Sequence, residues 1–205
     1  LVIAAAGDFD PKRLAEQIRA SFADAPAGGA KRQRPVEPSQ TALRSAVVQR
    51  PFEGVRVDMA WRAPRFADAD TPLLDLLSFI LGECESSRLV ATVKDRDQLV
   101  DRIDSSCYSP LDPGLFSVNF ESDAQRTHLA IEGVVREVER FRAERVSLDE
   151  LERARANFLA NEHFERENVA GIASRLGSFH VLGHDHQGDR RYLDAIRNAT
   201  PEQLI

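Results

Sequence analysis

Cysteine is scarce in this chain of 205 residues: there are only Cys84 and Cys107, and neither stands in a CxxC pattern. That excludes a disulfide framework and a zinc ribbon, and both residues read as buried or neutral thiols that leave the compartment open. Positive charge is not in excess. Lys and Arg number 27 against 33 Asp and Glu, for a net charge of −6 and a pI of about 5.4. Phosphate binding needs a basic face, so a nucleic-acid partner is not expected. The basic run Lys31, Arg32 and Arg34 lies beside Pro35 and reads as a solvated linker. No window reaches the roughly 18 apolar residues of a membrane span, so no membrane partner is expected. The chain opens directly on LVIAAAGDFD, with neither Met nor a signal peptide. Since a run such as LVIAAA is typical of a buried strand, the sequence reads as a piece of a longer polypeptide.

Several catalytic strings are missing too. There is no GxSxG elbow, and neither cysteine has a histidine near it in sequence. Ala27-Gly28-Gly29-Ala30 is no phosphate loop, because no Lys-Ser/Thr follows at the required spacing. Zinc hydrolysis on one helix needs two histidines a turn apart with a glutamate between them, as HExxH or HxxEH. Neither string occurs. Glu162-His163 is the only Glu-His pair, and Leu159 stands where the inverse motif requires histidine. His163 and Glu167 share a helix face as a surface contact. His180, His184 and His186 cluster near Asp185 and Asp189, but Gly183 is expected to end the helix between them. A polar helix end with surface histidines accounts for that cluster, and no metal ligand is assigned.

What is present alternates between strands and helices. Residues 1–6 read as a buried strand. Asp10 caps the next helix and Pro11 suits its first position, with Leu14, Ile18 and Phe22 as the apolar stripe. From 23 to 40 the chain is rich in Ala, Gly, Pro, Lys and Arg and reads as an exposed linker. A strand is expected over Leu43–Gln49. Val55, Val57, Met59, Trp61 and Ala63 then alternate with Arg56, Asp58, Ala60 and Arg62, which puts Trp61 in the core. Thr71-Pro72 starts a helix that is apolar almost all round and therefore central, with Gly82 as its stop. Ser86 or Ser87 caps a second helix carrying Leu89, Val90 and Val93. Strands follow over 99–108 and 115–122, the latter with Phe116, Val118 and Phe120 on one face. Ile131, Val134, Val135, Val138 and Phe141 stand at helical spacing. Ser147 and Glu150 form a capping box for a helix running to about Glu165. Another helix covers 168–182, and Thr200-Pro201-Glu202-Gln203 announces a last one. Strands joined by short turns, with helices in blocks, give an α+β fold: an antiparallel sheet covered by helices on one face.

The order of Leu81-Gly82, Ser86-Ser87-Arg88-Leu89 and Asp112-Pro113-Gly114-Leu115-Phe116, with Gly7-Asp8-Phe9-Asp10 before them and Thr200-Pro201-Glu202 after, resembles the pitrilysin/insulinase zinc metallopeptidases, including mitochondrial processing peptidase-like proteins. The resemblance covers nearly the whole chain. It implies that residues 1–22 are the last strand and helix of a preceding zinc-bearing domain, 23–40 a linker, and 41–205 the second, non-catalytic domain, truncated at its C-terminus. It implies a parent that is a zinc-dependent endopeptidase, with zinc held outside this chain. Its partners would be a peptide or unfolded polypeptide substrate and a homologous second half or subunit. This piece would be a wall of the peptide chamber, taking an extended peptide by strand addition at a sheet edge. The alternative under the same resemblance is a domain of a catalytically inactive member that acts as a structural or substrate-binding partner. Tyr108 is the candidate substrate-binding residue, since some members place a Tyr ahead of the GLF strand. Arg88 reads as structural, placed to pair with Glu83, Glu85 or Asp112.

Overall fold

The computed structural model describes residues 1–26, 28, 33–51 and 53–204. These fall into two compact units, Leu1–Ala6 with Glu53–Ile205, and Gly7–Phe52.

In the smaller unit, helix α1 (Pro11–Ser21) starts as its sequence dictates. The Asp10 carboxylate accepts from the backbone N–H groups of Lys12 and Arg13, and Pro11 fills the first turn. No residue of α1 is buried. The strand expected over Leu43–Gln49 is not formed: the segment carries no regular structure, and Leu43 and Val47 are almost fully exposed. Alternating apolar residues become a strand only when a neighbouring strand takes their backbone hydrogen bonds, and no described strand pairs with this one. Part of the expected linker, including Ala27, Gly29, Ala30, Lys31 and Arg32, lies outside the described residues.

The larger unit is built on a three-stranded antiparallel sheet of order β1-β3-β2, from β1 (Val55–Ala63), β2 (Arg102–Tyr108) and β3 (Gly114–Ser122). The register sets Val57 opposite Phe120, Met59 opposite Val118 and Trp61 opposite Phe116. Phe116, Val118 and Phe120 are buried on one face of β3, while Ser117, Asn119 and Glu121 point the other way. The helices are α2 (Thr71–Ser78), α3 (Thr127–Ala143), α4 (Leu148–Glu165), α5 (Val169–Gly183) and α6 (Gly188–Asn198). Two π-helical segments, Phe79–Glu83 and Val90–Arg96, and a 3-10 turn, Pro201–Leu204, complete the unit. The core joins the inner face of the sheet to Leu76, Leu89, Val93, Val134, Leu151 and Ile196, all at most 1% exposed.

Three expectations are corrected here. Residues 1–6 carry no strand, and Leu1 is 97% exposed; as with Leu43–Gln49, no described strand pairs with them. Trp61 is 37% exposed rather than core. Gly82 is not a left-handed helix stop. The chain continues helically to Glu83, and Gly82 is needed because a Cβ there would lie 2.6 Å from the Ser105 backbone nitrogen and 2.8 Å from Ser105 Oγ. The π-helical turn is thus pressed directly onto β2, and the Ser105 hydroxyl donates to the carbonyl of Ser78 at 2.9 Å.

That contact makes a test. Gly82→Ala forces a methyl group against the Ser105 backbone, so it should destabilise the fold by about 1–3 kcal/mol, read as a lower urea midpoint at an unchanged slope. An unshifted midpoint would show that the two elements separate without cost.

Candidate functional site

Tyr108 ends β2, opposite Leu115 of β3, and is 69% exposed. The turn behind it is fixed by close backbone packing and a main-chain hydrogen bond. A Cβ on Gly114 would fall 1.8 Å from the Tyr108 carbonyl oxygen, so only glycine fits where β3 begins. The Pro110 carbonyl accepts from the Phe66 N–H at 2.9 Å, tying the turn to the loop that follows β1. The Tyr108 hydroxyl has no hydrogen-bond partner among the described residues and is presented to solvent on a fixed strand end. β1 and β2 are the two edges of the sheet, and the outer edge of β1 pairs with no described strand.

Arg88 is structural, but its partner is none of Glu83, Glu85 and Asp112. Its Nε donates to Glu150 Oε1 at 2.8 Å and its Nη2 to Glu150 Oε2 at 3.1 Å, while the guanidinium lies 5.2 Å from the centre of the Phe141 ring. Glu150 is at the same time the closing residue of the predicted capping box. Its Oε2 accepts from the Ser147 N–H at 3.0 Å, and its own N–H donates to Ser147 Oγ. The Arg88 hydrogen bonds, helped by Ser147, hold the Glu150 carboxyl down at about 2. Ser87 does not cap the helix it precedes, because its Oγ is buried with no hydrogen-bond partner among the described residues.

One polar cluster was not expected. On the buried stripe of α4 (Leu151, Ala154, Phe158) the next position is Glu162, also buried. Its carboxylate accepts from Arg166 at 3.0 Å and from Arg175 Nη1 at 2.9 Å, and Asp189 pairs with both arginines. The Arg175 guanidinium sits 5.1 Å from the Phe179 ring centre and 5.5 Å from that of Tyr192. Tyr192 in turn donates to Asp75 of α2. Burial lifts Asp75 to about 6. The hydrogen bonds from Tyr192 and Cys107 oppose the rise, and the charges of Glu83 and Glu162 add to it. Tyr192 is raised well above its ordinary range, first by burial and then by Asp75. Cys107 is pushed up to about 11 by burial, so it is a neutral thiol at physiological pH. The cluster joins α2, α4, α5 and α6. Its only sequence signals are a lone Asp75 among the leucines of α2 and Glu162 in register with an apolar stripe.

The residues do not fit a zinc ion. No group of three His, Cys, Asp or Glu able to hold a metal occurs among the described residues. His163, His180, His184 and His186 are exposed, and the His180 and His186 rings are 6.5 Å apart. The expected helix end falls where predicted, with His184 in the left-handed conformation just past Gly183. No described helix is long and apolar enough to cross a membrane.

Comparison with known proteins agrees with this picture. The family model described as the peptidase M16 inactive domain matches residues 1–158. An uncharacterized zinc protease of Streptomyces coelicolor is 23% identical over all of this chain and 46% of its own length. A protease from Helicobacter pylori shares the fold at a TM-score of 0.86 with 22% identity, covering 97% of this chain and 49% of that one. A peptidase M16 inactive domain from Pseudomonas fluorescens does so at 0.79 with 19% identity, covering 97% and 47%. The chain therefore spans about half the length of the relatives it matches.

The raised Asp75 gives a signed pH prediction. A carboxyl lifted from its ordinary value of 3.8 to about 6 adds stability that is complete below about pH 4 and lost as pH rises through 6. The full effect is about 3 kcal/mol. Glu150 acts oppositely, with stability present above about pH 4.5 and lost as pH falls towards 2. Urea unfolding from pH 4 to pH 7 should show declining stability in the wild type and a flatter profile in Asp75→Asn. Identical slopes in the two proteins would remove Asp75 as the cause.

Proposed function

This chain belongs to the peptidase M16 family, as its inactive domain, and we propose that it forms a wall of the peptide-binding chamber in a zinc-dependent metalloendopeptidase. The match of the inactive-domain model over residues 1–158 carries this reading. The chemistry of the chain supports it: no zinc motif in the sequence, no metal-holding group among the described residues, and buried polar residues spent on joining helices. In this reading the parent's zinc is held by another domain, and a homologous half or subunit closes the chamber. The substrate is a peptide or unfolded polypeptide in extended form, taken up along an open sheet edge by main-chain hydrogen bonds. Tyr108 supplies a hydroxyl to the substrate backbone from the end of β2. Its exposure on a rigid turn favours contact with a ligand over packing.

Two measurements test this. The folded 205-residue chain should neither retain stoichiometric zinc nor cleave peptides, and chelator-sensitive cleavage by it would move the chemistry into this domain. In the full-length parent, Tyr108→Phe removes one neutral hydrogen bond of about 1 kcal/mol. KM for extended peptides should therefore rise about fivefold with zinc content unchanged. An unaltered KM would return Tyr108 to an ordinary strand end.

A further inference from the structure

Helix α5, VAGIASRLGSFHVLG, carries one residue of fixed charge, Arg175. That arginine does not serve the solvent side. It turns inward to Glu162 and Asp189, and Phe179 is the only buried residue of the helix. Helical spacing sets Ala170, Ala173, Gly177 and Val181 along the side away from Phe179, with Val169 and Leu176 next to them. Val169, Leu176 and Val181 are exposed, and no Asp, Glu, Lys or Arg stands among these positions. A helix that faces water carries charged and polar residues there, so this side is built to be covered.

The chain itself shows what lies over it. Leu1–Ala6 belongs to the same compact unit as α5, and Ala4 sits above Gly177. A Cβ added to Gly177 would meet the Ala4 Cβ at 3.5 Å and no other atom within 4 Å. Leu1–Ala6 is itself incomplete. Its residues are apolar without alternation, the pattern of a strand covered on both faces, yet Leu1, Val2 and Ile3 are exposed. Its backbone makes no hydrogen bond among the described residues. An apolar segment with two bare edges and an uncharged helix side thus meet at Ala4 and Gly177.

We propose that Leu1–Ala6 is one strand of a β-sheet that packs on the outward side of α5, the other strands coming from the parent polypeptide outside residues 1–205. The proposal rests on the reading that the chain is part of a larger protein, whose relatives are about twice as long. Three features select a sheet as the occupant. The bare N–H and C=O groups of residues 1–6 demand strands along their edges. Neighbouring strands lie about 4.8 Å to either side, which carries them over Leu176 and Val181, left exposed by a single segment. The described strands of this chain, β1 to β3, pair only with one another, so the partners of Leu1–Ala6 come from elsewhere.

Three readouts on the full-length parent test the proposal. Ala4→Cys with Gly177→Cys should close a disulfide on mild oxidation, since a Cβ separation of 3.5 Å falls in the range of about 3.5–4.5 Å for such bonds. Leu176→Cys and Val181→Cys, each alone, should react with a maleimide at least 100-fold more slowly than an exposed Ala124→Cys, the background from Cys84 and Cys107 being measured without these changes. The amides of residues 2–6 should exchange with deuterated water at least 100-fold more slowly than those of an unstructured chain. Failure of the bridge to form, labelling within tenfold of the reference, or unprotected amides would overturn the proposal. Protection lost on dilution would overturn it by making the cover a second copy of the protein, and protection that needs added peptide by making it substrate. If one variant does not fold, the others still give the reading, and the exchange measurement needs no variant. Chelator-sensitive peptidase activity of the same parent, assayed separately, keeps this outcome distinct from the family assignment.

Discussion

A helix without a polar side has to be covered all round, and α2 sets that demand for the larger unit. Its neighbours are arranged to meet it. The sheet takes one side through Ser105 and the close approach at Gly82. Helices α4 and α6 take others through Phe158 and Tyr192, which pack with Phe79 and Phe179 in a string of aromatic contacts. The one polar side chain inside the leucine run, Asp75, is satisfied by Tyr192. Where cover stops, at Leu73, Leu74 and Leu77, a groove opens.

The buried polar groups of this fold join its helices to one another. Glu162, Arg166, Arg175 and Asp189 pair among themselves across α4, α5 and the start of α6. A buried pair of this sort contributes little net stability but is costly to break, so it fixes which helix faces which. Arg88 and Glu150 do the same between the helix that follows Ser87 and the start of α4. This division suits a domain whose part is to hold a shape.

Much of this was legible in the sequence wherever the determining partners are local. The Asp10-Pro11 start of α1, the Ser147/Glu150 box and the alternation in β3 each lie within a few residues and formed as read. Interactions between distant positions were not legible. Tyr192 and Asp75 are separated by 117 residues, and Arg88 bypassed the nearby Glu83 and Glu85 for an acid 62 residues away. The segments 1–6 and Leu43–Gln49 carry strand-like residues, but a strand is completed by its neighbour, which no local pattern contains. Gly82 was singled out for the wrong property: its lack of a side chain matters there, not its freedom to turn. Tyr108 sat at a strand end as placed, yet a binding role depends on a molecule that the sequence of this chain cannot describe.

The double engagement of Glu150 has a consequence for how the fold opens. Helix ends ordinarily fray, because the first turn is held only by its own cap and can melt while the rest stays intact. Here the carboxylate that closes the cap of α4 is also clamped by Arg88, whose side chain is only 10% exposed and stacked on Phe141. Releasing the first turn of α4 therefore means releasing Arg88 from its ring and its acid together. The amide hydrogens at the head of α4 are thereby tied to a contact spanning 62 residues, which couples their opening to that of a larger cooperative unit.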